Sequence, residues 1–355
     1  MKTFAMRPDL HAILLDQSSQ LIDVRAPEEF AKGALPNSIN LPILNDEERA
    51  RVGKCYRSNG QQAAIALGHK LVTHDLRAVR IADWVNAINE GARNIYCWRG
   101  GMRSQLAEQW LAEQGVQINR IDGGFKALRN ACIDQLDFFS TQGDWLLIGG
   151  RTGSGKTEVL RELGDTIDLE GIAHHRGSAF GGYPDGQPTP ISFENELAIA
   201  SLQHIQQAST PAGQANYRVV LEDEGSTIGR LGLPISWHQR MQHSPILILE
   251  VERDKRVENI LQEYVGDDTQ SQELANRYDD ALSRISRRLG GDQTVKIRQA
   301  LLEAFTTGEA DAHRRWIEKL LIHYYDPMYD YQIARKQERI LLRGSVNELQ
   351  AHLAQ

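Results

Sequence analysis

The sequence predicts two consecutive α/β domains, each on a mostly parallel sheet, with a helical C-terminal region. Three observations carry that prediction. Short apolar runs alternate with amphipathic stretches over residues 1–136, the pattern of strand and crossover helix. A second such unit opens at Trp145, where an apolar strand runs into a glycine-rich turn and a helix. The chain's 355 residues also exceed what one core ordinarily holds. The division read from these features is 1–136, 137–252 and 253–355, the last being the helical part of the second domain.

The elements follow in order. LIDVR (21–25), SINLP (38–42), NIYCW (94–98) and INRI (118–121) read as strands. Asp75 to Glu90 and Arg103 to Gln114 read as amphipathic helices, the second stopped by Gly115. The charged, Gln-rich segment from Asn45 to Lys70 reads as a helical insertion. In the second domain WLLIGG, RVVLE (218–222) and PILILEV (245–251) are near-continuous apolar runs, as strands buried on both faces are. Beyond Arg253 the pattern is helical and charged, and no internal repeat is evident.

Composition narrows the class. The chain is 41% hydrophobic and 25% charged, the balance of a soluble globular protein. It has no apolar run of membrane-spanning length and no leader-like start, so no membrane association and a cytoplasmic location are expected. The three cysteines, Cys55, Cys97 and Cys132, form no CxxC pair, which argues against a disulfide framework or a zinc knuckle. Cys55 reads as a surface residue and Cys132 as structural. A net charge of −7 speaks against wholesale nucleic-acid binding. Basic residues nonetheless cluster late: Arg284, Arg287, Arg288, Lys296, Arg298, Arg314, Arg315, Lys319, Arg335, Lys336 and Arg339. They read either as solvated helix faces or as contacts for RNA phosphates.

Gly150, Arg151, Thr152, Gly153, Ser154, Gly155, Lys156 and Thr157 match GxxxxGK[ST] between a strand and a helix. Such a loop lets backbone N–H groups converge on phosphate oxygens at a positive helix end. Lys156 would reach the outer phosphates and Thr157 would ligate magnesium. Asp223, after RVVLE, is the candidate acid on the metal side, with Glu222 and Glu224 as competitors. His175 and Arg176, with His174 in a glycine-rich loop, are candidates for covering the bound phosphates.

Cys97 ends a strand, and WRGGM leads from it to Arg103 and Ser104 at a helix start. Inward N–H groups, with Arg99 and Arg103, would favour a thiolate there. The same cup would bind an oxyanion or stabilise a persulfide.

On these residues the first domain resembles the rhodanese family, through LIDVRAPEEF with Asp23 and Arg25, GALPNSINLP, the Cys97 loop and IDGGFKAL (121–128). That family carries a transferred chalcogen on its cysteine. The five residues between Cys97 and Arg103 are one more than the usual sulfurtransferase loop holds. They resemble the wider cup of rhodanese-fold phosphatases, which implies a phosphate-bearing donor.

CWRGGMRS, GGRTGSGKT and HHRGSAFGG in this order are similar to the tRNA 2-selenouridine synthase family over nearly the whole chain. That resemblance implies conversion of wobble 2-thiouridine to 2-selenouridine in the anticodon loop of certain tRNAs, with selenophosphate as selenium donor. It also implies prior S-geranylation from geranyl diphosphate. Cys97 would serve the selenium step and Gly150 to Thr157 would cradle the diphosphate. No tightly bound cofactor is expected, and magnesium at Thr157 and Asp223 is a candidate from the phosphate-loop residues. Trp98, Phe180 and Tyr183 are candidate walls for the prenyl chain. Two other classes stay open: an ATP- or GTP-dependent small-molecule kinase with a fused sulfurtransferase domain, and a non-catalytic tRNA-binding or regulatory module with an inert rhodanese fold.

Overall fold

The computed structural model describes residues 7–163, 166–208 and 217–353. The chain forms two compact units. One contains the chain up to Phe139 together with Thr189–Gln203; the other contains Ser140–Pro188 and the chain from His204. The return of Thr189–Gln203 to the first unit has no counterpart in the sequence reading, because it is a long-range packing event with no local signal. Arg129 there donates to Asn195 Oδ1 at 3.0 Å and also binds Glu194, while buried Gln135 donates to Ser201.

The first unit is built on a parallel sheet of β1 (Leu21–Asp23), β2 (Ser38–Asn40), β3 (Asn94–Tyr96) and β4 (Asn119–Arg120), in the order β2-β1-β3-β4. These are the four predicted strands, trimmed at their ends. The apolar residues of β1 and β3 meet helices His74–Asn89 and Met102–Glu113 in one core, where Trp84 stacks on Trp110 with centroids 6.1 Å apart. Burying such rings supplies much of the core's stabilisation. The predicted insertion is a helical run, Asp46–Leu71, broken at Gly60 (φ 81°, ψ −178°). A reciprocal cap starts it: Asn45 accepts from the Glu48 N–H and Glu48 accepts from the Asn45 N–H, both at 2.8 Å.

In the second unit β5 (Asp144–Gly150) lies between β6 (Arg218–Glu222) and a strand from the 245–251 run. A two-residue ribbon, β7 (Thr227–Ile228) with β8 (Leu231–Gly232), follows β6. Then β9 (Ile246–Leu249) and β10 (Ile340–Gly344) complete a parallel sheet ordered β10-β9-β5-β6. The last strand was not expected, since the region after Arg253 reads as mainly helical and no strand was assigned there. ILLRG is short and flanked by charge, and only its pairing with β9 makes it a strand. Most of the remainder is helical as expected, its buried faces gathered around Tyr278, Leu282, Leu301 and Trp316.

Candidate functional site

In the first unit Cys97 follows β3, at the carboxyl end of the parallel sheet, where α/β folds ordinarily open onto ligand. The loop after it is tied down from behind. The Cys97 and Trp98 carbonyls accept from the N–H groups of Phe125 and Lys126, each at 2.9 Å. The Gly100 carbonyl accepts from Arg120 at 2.8 Å. In a trans peptide each carbonyl opposes the next N–H. The N–H groups of Trp98, Arg99 and Gly101 therefore turn to the opposite side and find no partner among the described residues. Gly124 makes the backing possible: with φ 55°, a Cβ there would lie 2.2 Å from the Cys97 carbonyl oxygen.

Cys97 is nearly buried, at 3% exposure. The Ser104 hydroxyl, itself buried, lies 3.2 Å from Sγ and 3.1 Å from the Gly101 carbonyl. The sequence places Ser104 at the helix start beside Arg103 but assigns it no role. Arg103 is not a free charge aimed at sulfur. Its guanidinium is engaged by Glu29, which Arg49 also reaches at 3.3 Å. Burial opposes ionisation of Glu29, but the Arg103 pair and the Ala26 N–H outweigh it and hold the carboxyl below its ordinary value. Arg99 is exposed beside the cup. Asp23 and Arg25 are structural: the fully buried pair meets at 2.6 Å, and the Arg25 guanidinium sits 3.8 Å from the Phe125 ring centroid. Of the other thiols, Cys55 is half-buried and Cys132 fully so. Burial pushes Cys132 up to about 12.

In the second unit the glycine-rich turn follows β5 and leads into helix Lys156–Arg161. Gly153, at φ 80°, lies against the helix Arg253–Ile260, where a Cβ would meet the Arg256 carbonyl oxygen at 2.7 Å. Asn259 donates to the Gly153 carbonyl at 2.9 Å, and buried Arg256 forms a two-pronged pair with Asp326 at 2.8 Å. Thus the turn is held by a helix more than a hundred residues away. Lys156 Nζ rests 3.3 Å from the Gly150 carbonyl, and Ser154 Oγ is buried without a partner among the described residues. Both groups suit an incoming phosphate oxygen. Arg151 turns to Asp330, while Thr152 and Thr157 are half-buried in the turn and the first helical position pair.

The three acids after β6 separate. Glu222 is buried and accepts from the Leu169 N–H at 3.0 Å. Asp223 takes two hydrogen bonds from Lys336 Nζ, at 2.8 and 2.7 Å. Glu224 faces Glu170 and Lys156; burial and then Glu170 push it up to about 8. For magnesium, Thr157 is available, but the Asp223 carboxylate is already neutralised by a cation. A metal there would have to displace Lys336, so the donor set does not fit a preformed ion.

His175 is half-buried, its Nδ1 has no partner among the described residues, and burial followed by Arg176 lowers its pKa from the usual value. The Arg176 guanidinium lies between the Tyr183 and Tyr264 rings, at 4.2 and 4.9 Å from their centroids, and 3.3 Å from Glu263. Gly177 in the same loop packs against Glu170 and Glu224, which brings the loop to the Lys156 side. Phe180 lines only a small cavity of about 20 Å3, shared with Thr152 and Trp316. It is 5% exposed and packs on Tyr278 and Trp316 in the helical core.

Several basic candidates are spent within the chain. Arg298 binds Asp279 and Ser283, Arg314 binds Glu258 and Asp311, and Arg339 donates to two backbone carbonyls. Arg284 and Arg288 remain at the rim of a cavity of about 720 Å3 that also takes in Tyr183 and Arg230.

Comparison with known proteins matches the two units separately and the chain as a whole. Residues 7–131 match the rhodanese-like domain family, and residues 143–355 match the family described as the tRNA 2-selenouridine synthase AAA domain. A tRNA 2-selenouridine synthase of Marinobacter nauticus is 43% identical over 96% of each chain. Those of Shewanella denitrificans and Cupriavidus necator are 42% and 44% identical, the latter covering 99% of this chain and 100% of its own. No helix among the described residues is long and apolar enough to cross a membrane. A rhodanese-like unit carrying Cys97, followed by the matching AAA unit carrying the phosphate loop, places this chain in the tRNA 2-selenouridine synthase family.

Proposed function

We propose that the chain converts wobble 2-thiouridine in a tRNA anticodon loop to 2-selenouridine in two steps, S-geranylation and then selenium exchange. The observation that carries the reading is the Cys97 cup, whose inward N–H groups and Glu29-held Arg103 suit a tetrahedral oxyanion. An anticodon loop suits such an enzyme because single-stranded bases can be splayed out.

In the first step the phosphate turn binds the diphosphate of geranyl diphosphate, with Lys156 and Ser154 meeting its oxygens. The thiocarbonyl sulfur attacks geranyl C1; the S–C bond forms, the C–O bond breaks and diphosphate leaves. The N3 proton passes to solvent. Alkylation turns a poor leaving group into a good one. In the second step the Cys97 thiolate attacks the phosphorus of selenophosphate. An S–P bond forms, the Se–P bond breaks, and hydrogen selenide is released without any change in oxidation state. Its selenium attacks C2 of the base, the C2–S bond breaks, the selenium-borne proton moves to N3, and geranyl thiolate takes a proton from solvent as it leaves. Water then cleaves the cysteinyl phosphate. Ser104 supports this role, since a hydroxyl 3.2 Å from Sγ stabilises a thiolate both before attack and as it departs.

Mass spectrometry of nucleosides from anticodon stem-loop RNA tests the reading. Cys97→Ala should accumulate S-geranyl-2-thiouridine without 2-selenouridine, and Lys156→Ala should lose both. Full selenation by Cys97→Ala would overturn the assignment. Nucleotide hydrolysis stimulated by a small substrate and independent of RNA would favour the kinase alternative instead.

A further inference from the structure

Between the helical run Asp46–Leu71 and the Cys97 loop lies a cavity of about 650 Å3. That falls in the range of about 300–1,000 Å3 that small-molecule sites occupy. Its walls are mostly apolar, with Val52, Ala64, Ile65, Leu106 and Trp110, while Arg49, Gln61, His69 and Arg103 add polar groups and Cys97 itself is on the lining. At its mouth stand three of the chain's exposed large apolar side chains, Tyr56 (57% exposed), Trp98 (40%) and Met102 (38%). Arg57 and Arg99, both exposed, line the same cavity. A transferred oxyanion alone touches only the cysteine loop and has no use for such walls. An apolar interior with a cationic rim fits an amphiphile: a hydrocarbon chain attached to an anionic body.

We infer that this cavity receives the geranyl chain of the S-alkylated base, with RNA phosphates meeting Arg57 and Arg99, so that selenium exchange selects its substrate by the chain it will expel. The inference rests on the two-step reading of the reaction. It assigns the insertion a task that chalcogen transfer alone does not require: the Asp46–Leu71 run supplies Val52, Ala64 and Ile65 to the wall. It also places the scissile C2–S bond at the cavity end that Cys97 lines, where hydrogen selenide would be released.

The test uses the full chain, selenophosphate, and anticodon stem-loop RNAs carrying S-geranyl- or S-methyl-2-thiouridine. Each buried methylene favours binding by about fourfold, so the wild type should prefer the geranyl RNA by at least about a hundredfold in kcat/KM. Ile65→Trp and, independently, Val52→Phe should fill the cavity. Both should lose most of that preference through KM while keeping turnover of the S-methyl RNA and an unchanged melting temperature. Equal use of the two RNAs by the wild type, or an undiminished preference in both folded variants, overturns the inference. If the wild type selenates unalkylated 2-thiouridine and ignores both alkylated RNAs, the two-step reading fails by itself. Titration with geranyl thiol, followed by Trp98 and Trp110 fluorescence, then decides the cavity. Saturable binding weakened at least tenfold in Ile65→Trp upholds an apolar-chain site, and its absence overturns it.

Discussion

The Ser104 hydroxyl lies 3.2 Å from the Cys97 sulfur and 3.1 Å from the Gly101 carbonyl, so one buried side chain joins the thiol to the loop that surrounds it. Hydrogen bonds to a charged group contribute about 1.5–3 kcal/mol. Ser104→Ala should therefore slow selenium exchange by roughly 10- to 100-fold, measured as 2-selenouridine formed from pre-geranylated RNA. Geranylation by the same variant should proceed at the wild-type rate. A loss of both activities would assign Ser104 a folding role instead.

Arg103 depends on Glu29 for its position. Glu29→Gln keeps the shape but weakens the anchor, and is expected to raise the KM for selenophosphate several-fold with little change in kcat. Arg103→Lys should cost more, because an ammonium cannot present two parallel donors to an oxyanion. Steady-state kinetics with selenophosphate as the varied substrate separates the two effects.

The Arg256–Asp326 pair is buried and two-pronged, and Arg256 also reaches the Thr152 carbonyl at 3.3 Å. Removing one partner of such a pair leaves an uncompensated buried charge, at a cost of about 3–5 kcal/mol. Asp326→Ala should accordingly lower the urea midpoint of the protein. It should also weaken geranyl diphosphate binding, because the phosphate turn leans on the same helix. Calorimetric titration of the folded variant checks the second effect.

Glu224 carries a pH signature. Its folded-state value, pushed up to about 8 by burial and Glu170, lies above the ordinary 4.5. Between those values the unfolded chain has lost a proton that the folded chain keeps, so this group makes stability fall as pH rises from about 4.5 to 8. Glu224→Gln should flatten that slope in urea unfolding measured at pH 6 and pH 8. An unchanged slope would mean that another acid, such as buried Glu222, dominates.

Cys132 should stay silent toward a thiol reagent at pH 8, since burial pushes it up to about 12 and only thiolates react. Peptide mapping after alkylation should find it modified only once the protein is unfolded in guanidinium.

Much of the fold was legible because its signals are local. The four strands of the first unit and three of the second are apolar runs bounded by turn residues, and the phosphate turn is a contiguous motif. β10 was illegible, because a short run with partly exposed alternate residues becomes a strand only beside β9. The assignment of Thr189–Gln203 to the first unit has the same cause. Within the sites, the sequence singled out Cys97, Arg103 and Lys156 but not the partners that fix or occupy them. Glu29 lies 74 residues before Arg103 and Lys336 lies 113 after Asp223. At those separations nothing local announces a pair. Asp223 shows the consequence: its position after a strand suggested a metal ligand, and its lysine partner argues against one.

The sequence by itself determined the two-part α/β architecture, the cysteine loop with its five-residue spacing, the phosphate turn and the family they jointly resemble. Each is written in adjacent residues whose chemistry is fixed before folding. Only the tertiary structure decided which charges are free and which are spent, and only it opened an apolar cavity beside Cys97. Such a cavity is made by walls from distant segments, Val52 and Ile65 on one helical run and Leu106 and Trp110 on another helix. Each of these residues, read alone along the chain, is indistinguishable from ordinary core.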